Sequence, residues 1–104
     1  MNGYKVIADR FSVTNPMGLD LRCAHMLVQT ALQFDAEFEV KYRRAAVDGK
    51  SLLNVLSLGV DCGSVVDVNI YGREAPQAHE AIQFLFNHAF ASDVLPETSG
   101  IAVA

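Results

Sequence analysis

The chain has 104 residues, 51% of them hydrophobic, with twelve acidic and eight basic residues and a net charge of −4. That length suits one domain with a modest core, and the composition excludes a disordered chain. The acidic balance, with no basic stripe to neutralise phosphates, leaves nucleic acid outside the expected partners.

The N-terminal "MNGYKVIADRF" lacks the charged start and apolar run of a signal peptide. No apolar stretch approaches the roughly 18–20 residues that span a bilayer, so no membrane association is expected. Two cysteines, Cys23 and Cys62, make no disulfide framework. The expected location is therefore the cytoplasm, with both thiols reduced.

In chain order, Tyr4 to Val13 reads as a strand, with Val6, Ala8 and Phe11 among its apolar residues and an imperfect alternation. "TNPMG" breaks it with turn chemistry. Arg22 to Phe34 is the clearest helix, with Ala24, Leu27, Val28, Ala31 and Phe34 on one face. Asp20 stands where an N-cap belongs, ready to accept the free N–H of Arg22 or Cys23. Its charge also suits the positive end of the helix dipole.

Asp35 is read as the end of that helix. "EFEVKY" is the cleanest strand, with Phe38, Val40 and Tyr42 on one face. A short strand over Ala45 to Val47 precedes "DGKS", where Ser51 caps a short helix, "SLLNVLSL". After the loop "GVDCGS", the strand "VVDVNIY" alternates Val66, Val68 and Ile70 with Asp67 and Asn69. Pro76 opens a last helix whose apolar face carries Ala78, Ala81, Ile82, Leu85 and Ala89. The tail from Ser92 shows no period and reads as an extension. Strand, helix, strand, strand, short helix, strand, helix makes a two-layer α+β domain.

Few residues carry chemistry. His25, His79 and His88 lie at no metal-ligand spacing and are expected on helix surfaces. Cys23, in a first helical turn, is a candidate for a lowered thiol pKa, though an inert thiol is the plainer reading. A phosphate on Ser51 would lie against free N–H groups and add negative charge beside Leu52, Leu53 and Leu56. No phosphate-cradling glycine loop and no Ser-His-Asp or Cys-His set is evident, so no enzyme activity, metal or cofactor is expected.

Two segments carry a family resemblance. "VTNPMGLDLRCAHML" resembles the active-centre segment of HPr, the phosphocarrier of the sugar phosphotransferase system, whose pattern is N-x-x-G-[IL]-H-A-R-P-A. "DGKSLLNVLSLGVDCGS" is similar to the family's regulatory-serine segment, G-K-S-[IL]-x-x-[LV]-x-x-L-G. "VVDVNIYGREAPQAHEAIQFL" is similar to its last strand and helix. The resemblance covers Tyr4 to Phe90 and implies an open-faced β-sandwich: a four-stranded antiparallel sheet covered on one face by three helices. It implies an HPr-like domain over 1–91 and a C-terminal extension over 92–104.

The departure falls at the active centre. The family's phosphoaccepting histidine falls on Asp20, its following alanine on Leu21, and its proline on Cys23, while the arginine that helps hold the phosphoryl group is kept as Arg22. The chain thus resembles the histidine-lacking, catabolite-repression branch. The resemblance implies phosphorylation of Ser51 by an HPr kinase/phosphorylase, with Arg22, Lys50, Leu52, Leu53 and Leu56 as a docking face. A transcriptional regulator is the implied reader of that state, and enzyme I is not the expected donor. Two alternatives stay open: a phosphorelay carrier accepting phosphoryl on Asp20 with Arg22 as clamp, and a constitutive binding module. Cys23 and Cys62 flank segments that meet near the active centre in the family fold, which also leaves a redox pair to test.

Overall fold

The computed structural model describes residues 5–91. Its elements are β1 (Lys5–Ser12), α1 (Leu21–Ala31), β2 (Glu37–Tyr42), β3 (Ala45–Asp48), α2 (Leu52–Ser57), β4 (Val65–Gly72) and α3 (Ala75–Asn87). The strands form one sheet in the order β1-β4-β2-β3, every neighbouring pair antiparallel. This is the open-faced sandwich that the resemblance implied. The Tyr4 end of the first expected strand and the 92–104 extension lie outside the described residues.

The alternation read in β2 and β4 decides which face is covered. Phe38, Val40, Tyr42, Val66, Val68 and Ile70 are all buried beneath the helices. Their outward neighbours make a polar ladder, in which Arg10 binds Asp67 at 2.8 Å and Asn69 donates to Glu39 at 3.0 Å. Polar side chains that satisfy one another suit a face left to water.

β1 alternates poorly for a reason that lies elsewhere in the chain. Asp9 pairs with Val68 in register and so falls on the covered face, between Ile7 and Phe11. His79 of α3 meets it there, Nε2 to Oδ2 at 2.7 Å. His79 is therefore a half-buried partner of a strand carboxylate, not the surface decoration expected of it. This bond holds the Asp9 carboxyl below its ordinary range. Val6 and Ala8, read as apolar strand residues, face solvent instead.

α1 ends at Ala31, three residues before the expected limit, although Phe34 still packs on the core. On α3, Ala78, Ile82 and Leu85 are buried as the periodicity requires, while Ala81 and Ala89 are only half-buried. Phe86 and Phe90 complete that side of the core. Phe86 stacks on Phe11 with ring centroids 4.6 Å apart and meets the edge of Phe90 at 5.0 Å.

Candidate functional site

The turn before α1 is pinned to the loop before β4. Leu19 N–H donates to Val60 O at 2.9 Å, Val13 N–H to Ser64 O at 2.8 Å, and Gly63 N–H to Val13 O at 2.8 Å. Gly18 makes the close approach. Its φ is +72°, and a Cβ there would lie 2.2 Å from the Val60 carbonyl oxygen. The turn thus delivers Asp20 to the start of α1 in one orientation.

Asp20 is the N-cap. Its backbone is extended, and its Oδ1 accepts the N–H of Cys23 at 3.0 Å. That backbone bond first, and then the neighbouring Cys23 thiol, hold the Asp20 carboxyl below the ordinary carboxylate range, and the nearby Arg22 charge adds to them. Cys23 is buried, and burial first, then Asp20, pushes its thiol up to about 11. The lowered thiol pKa is thus overturned: the helix dipole acts, but a buried thiolate beside a carboxylate costs more.

The sequence change at Cys23 and the cap bond are physically linked. A proline at this third helical position, as in the HPr pattern, has no N–H to give. Asp20 can accept the N–H of position 23 because that position is not proline.

Arg22 is exposed, but both its terminal nitrogens have partners. Nη1 donates to Phe90 O at 2.6 Å and lies 3.3 Å from Met26 Sδ, and Nη2 lies 3.8 Å from Cys23 Sγ. Asn15, buried in the turn, donates its side-chain amide to Ala89 O. Among the described residues, its Oδ1 is buried without a partner. Neither Asn15 nor the Ala89–Phe90 segment emerged as a site from the residues alone. The leading asparagine of the HPr pattern was the one available signal.

The second segment is arranged differently. Gly49 N–H donates to Phe38 O at 2.9 Å, and a Cβ on Gly49 would lie 2.8 Å from Phe38 Cβ. Ser51 is half-exposed and caps α2, its Oγ accepting Asn54 N–H at 3.4 Å, a long and weak bond. The Lys50 ammonium donates to Phe34 O at 3.1 Å and lies 6.0 Å above the Phe38 ring centroid. On α2, Val55 enters the core, Leu52 and Leu56 pack partly against it, and Leu53 is 77% exposed. Met17 (77%) and Leu21 (60%) are exposed on the turn and at the start of α1, and α1 packs against α2. Exposed apolar side chains thus flank both capped helix starts.

His25 is exposed, and His88 stacks on Phe84 with its Nδ1 2.9 Å from the Phe84 carbonyl. Both cysteines are free thiols, Cys23 buried and Cys62 exposed. Among the described residues, no cluster of His, Cys, Asp or Glu has metal-site geometry, and no helix is long and apolar enough to cross a membrane.

Comparison with known proteins agrees with this arrangement. The family described as "PTS HPr component phosphorylation site" matches residues 7–88. The phosphocarrier protein HPr of Xylella fastidiosa (strain Temecula1) is 31% identical over 88 residues, which is 85% of this chain and 99% of that protein. Among solved structures, HPr-C-His from Thermoanaerobacter tengcongensis superposes with a TM-score of 0.75 at 31% identity, over 83% of this chain and 94% of that one. Crh, the Bacillus subtilis catabolite repression protein, superposes with a TM-score of 0.64 at 25% identity, over 73% of this chain and 87% of that one. HPr is a phosphocarrier protein and not an enzyme. With both motifs, the strand order and the helical cover in agreement, the chain belongs to the HPr family.

Proposed function

We propose that this HPr-family protein is a regulator switched by phosphorylation of Ser51, and not a carrier of phosphoryl groups. By its resemblance to the HPr pattern, Asp20 stands at the position of the phosphoaccepting histidine. The observation that carries the reading is the state of that aspartate: its Oδ1 is committed to the Cys23 N–H at 3.0 Å. A phosphocarrier needs a free lone pair, which a neutral imidazole supplies near pH 7. Phosphoryl transfer to its other oxygen would turn the capping carboxylate into a neutral acyl group, whose remaining oxygen is a weaker acceptor for that N–H. Aspartates do act as phosphoryl nucleophiles elsewhere, so it is the commitment to the cap, and not the residue type, that argues against transfer.

Ser51 meets the opposite conditions. Its hydroxyl is half-exposed, and its cap bond is long at 3.4 Å. Phosphorylation would add about −1.5 to −2 charges at pH 7. That charge would sit one residue from half-buried Leu52 and two from exposed Leu53. A protein partner docking on Leu52, Leu53 and Leu56, with Arg22 and Lys50 at its margins, would read that change directly. An HPr kinase/phosphorylase is the proposed writer, a transcriptional regulator the proposed reader, and the cytoplasm the proposed compartment.

The test is the intact mass of the wild type and of Ser51→Ala after incubation with HPr kinase and ATP. One phosphate on the wild type and none on the variant supports the reading. An unmodified wild type overturns it.

A further inference from the structure

The hairpin between β2 and β3 turns on two arginines. Tyr42 pairs with Ala45, so Arg43 and Arg44 are the central residues of the turn. Arg43 has a φ of +58°, a positive value that Arg44 does not share. These are the signs of a type II′ turn, whose first central place ordinarily holds glycine. A side chain with a Cβ is strained there, and strain of this kind collects at binding and switch sites.

The Arg43 side chain is also held in place. Its guanidinium carbon lies 5.0 Å from the centroid of the Tyr42 ring, while Arg43 and Arg44 are both exposed. Tyr42 is buried, and its hydroxyl meets Ser64 Oγ at 3.0 Å. Ser64 O in turn accepts Val13 N–H at 2.8 Å, which ties the hairpin to the segment entering the active-centre turn. A core residue thus anchors the tip from below.

Charge sets this tip apart. Lys41, Arg43 and Arg44 place three of the eight basic residues within four positions of a chain whose net charge is −4. Arg10, Arg22, Lys50 and Arg73 are each held by an acceptor of the chain itself: Asp67, Phe90 O, Phe34 O and Asp35. Among the described residues, no salt bridge engages Lys41, Arg43 or Arg44. Lys41 stands opposite Asp67 in register, but Asp67 is taken from the other side by Arg10.

We propose that the β2–β3 hairpin tip is a docking site for an acidic segment of a partner protein, with Arg43 and Arg44 taking its carboxylates and Lys41 beside them. A guanidinium fork matches a carboxylate bidentately, and stacking on Tyr42 orients one fork before binding. Nucleic acid fits less well. Three clustered cations offer few phosphate contacts, and Glu39 and Asp67 on the open face of the sheet would repel a long polyanion. The site uses neither Asp20 nor Ser51 and stands or falls separately from the serine switch.

The test is a ¹H–¹⁵N NMR titration of the full chain at low ionic strength. The probe is an end-blocked glutamate hexapeptide, run beside a glutamine hexapeptide, an oligothymidylate and phosphatidylserine vesicles. The glutamate peptide should move the Arg43 Nε–H and the backbone amides of 42–46, and the glutamine peptide should move none of them. Arg43→Gly with Arg44→Gln should weaken binding about tenfold. Arg43→Gly by itself should weaken binding about threefold and yet raise the urea midpoint, because it relieves the turn. Weaker binding by a more stable protein is a result that a merely structural arginine would not give. A silent hairpin, an affinity unchanged in the double variant, or tighter binding of the oligothymidylate or the vesicles would overturn the proposal.

Discussion

The two helix starts, at Asp20 and at Ser51, use one local device to opposite ends. Each presents a side-chain oxygen to the N–H three residues on, at 3.0 Å for Asp20 and 3.4 Å for Ser51. The Asp20 cap is charged and short, and the residue that donates to it is buried. The Ser51 cap is neutral, long and half-exposed at the head of a six-residue helix with Leu53 facing outward. A short charged cap fixes a conformation, whereas a weak neutral one leaves a hydroxyl available for chemistry. On the proposed reading, the contrast would let a family member set aside one phosphorylation position and keep another without changing its fold.

The comparison is broken most severely at its glycines. Gly18→Ala should cost about 2–3 kcal/mol, since it combines a disfavoured φ with a Cβ driven into the Val60 carbonyl. Urea unfolding monitored by circular dichroism measures it, and a cost near zero would mean that the turn is not pinned. Cys23→Pro comes next. It restores the HPr pattern but removes the N–H that Asp20 accepts, and should cost about 1–2 kcal/mol in the same assay.

Acid sharpens the comparison. The Asp20 carboxyl is depressed in the folded protein, so its contribution is fully present above the unfolded carboxyl value of 3.8. It is lost as pH falls through the lower, folded value. Asp20→Asn retains a capping oxygen and no titration, and so should match the wild type at pH 7 and lose less stability below about pH 4. Asp9, held low by His79, contributes acid sensitivity with the same sign, which makes Asp9→Asn the control. Ser51→Ala is the smallest step. Losing a long neutral cap should cost about 0.5 kcal/mol, and the variant should remain fully folded.

The sequence showed its local logic well and its distant contacts poorly. β2 and β4 were legible because half-buried strands alternate, and both caps because Asp20 and Ser51 precede apolar helical periods. β1 was blurred by Asp9, whose inward place makes sense only beside His79, seventy residues later. Phe90 was missed from the core because two left-handed residues end the helical period that predicted its neighbours. For the same reason, nothing local announced that Arg22 and Asn15 would be held by the end of α3.

The central claim is that the serine is open to phosphorylation and the aspartate closed. Its most direct test offers one sample of wild-type protein to two donors, HPr kinase with ATP and enzyme I with phosphoenolpyruvate, followed by site mapping and a hydroxylamine wash. The account predicts a single hydroxylamine-stable phosphate, on Ser51, from the kinase alone. A hydroxylamine-labile phosphate on Asp20, transferred from enzyme I and absent from Asp20→Asn, would contradict it.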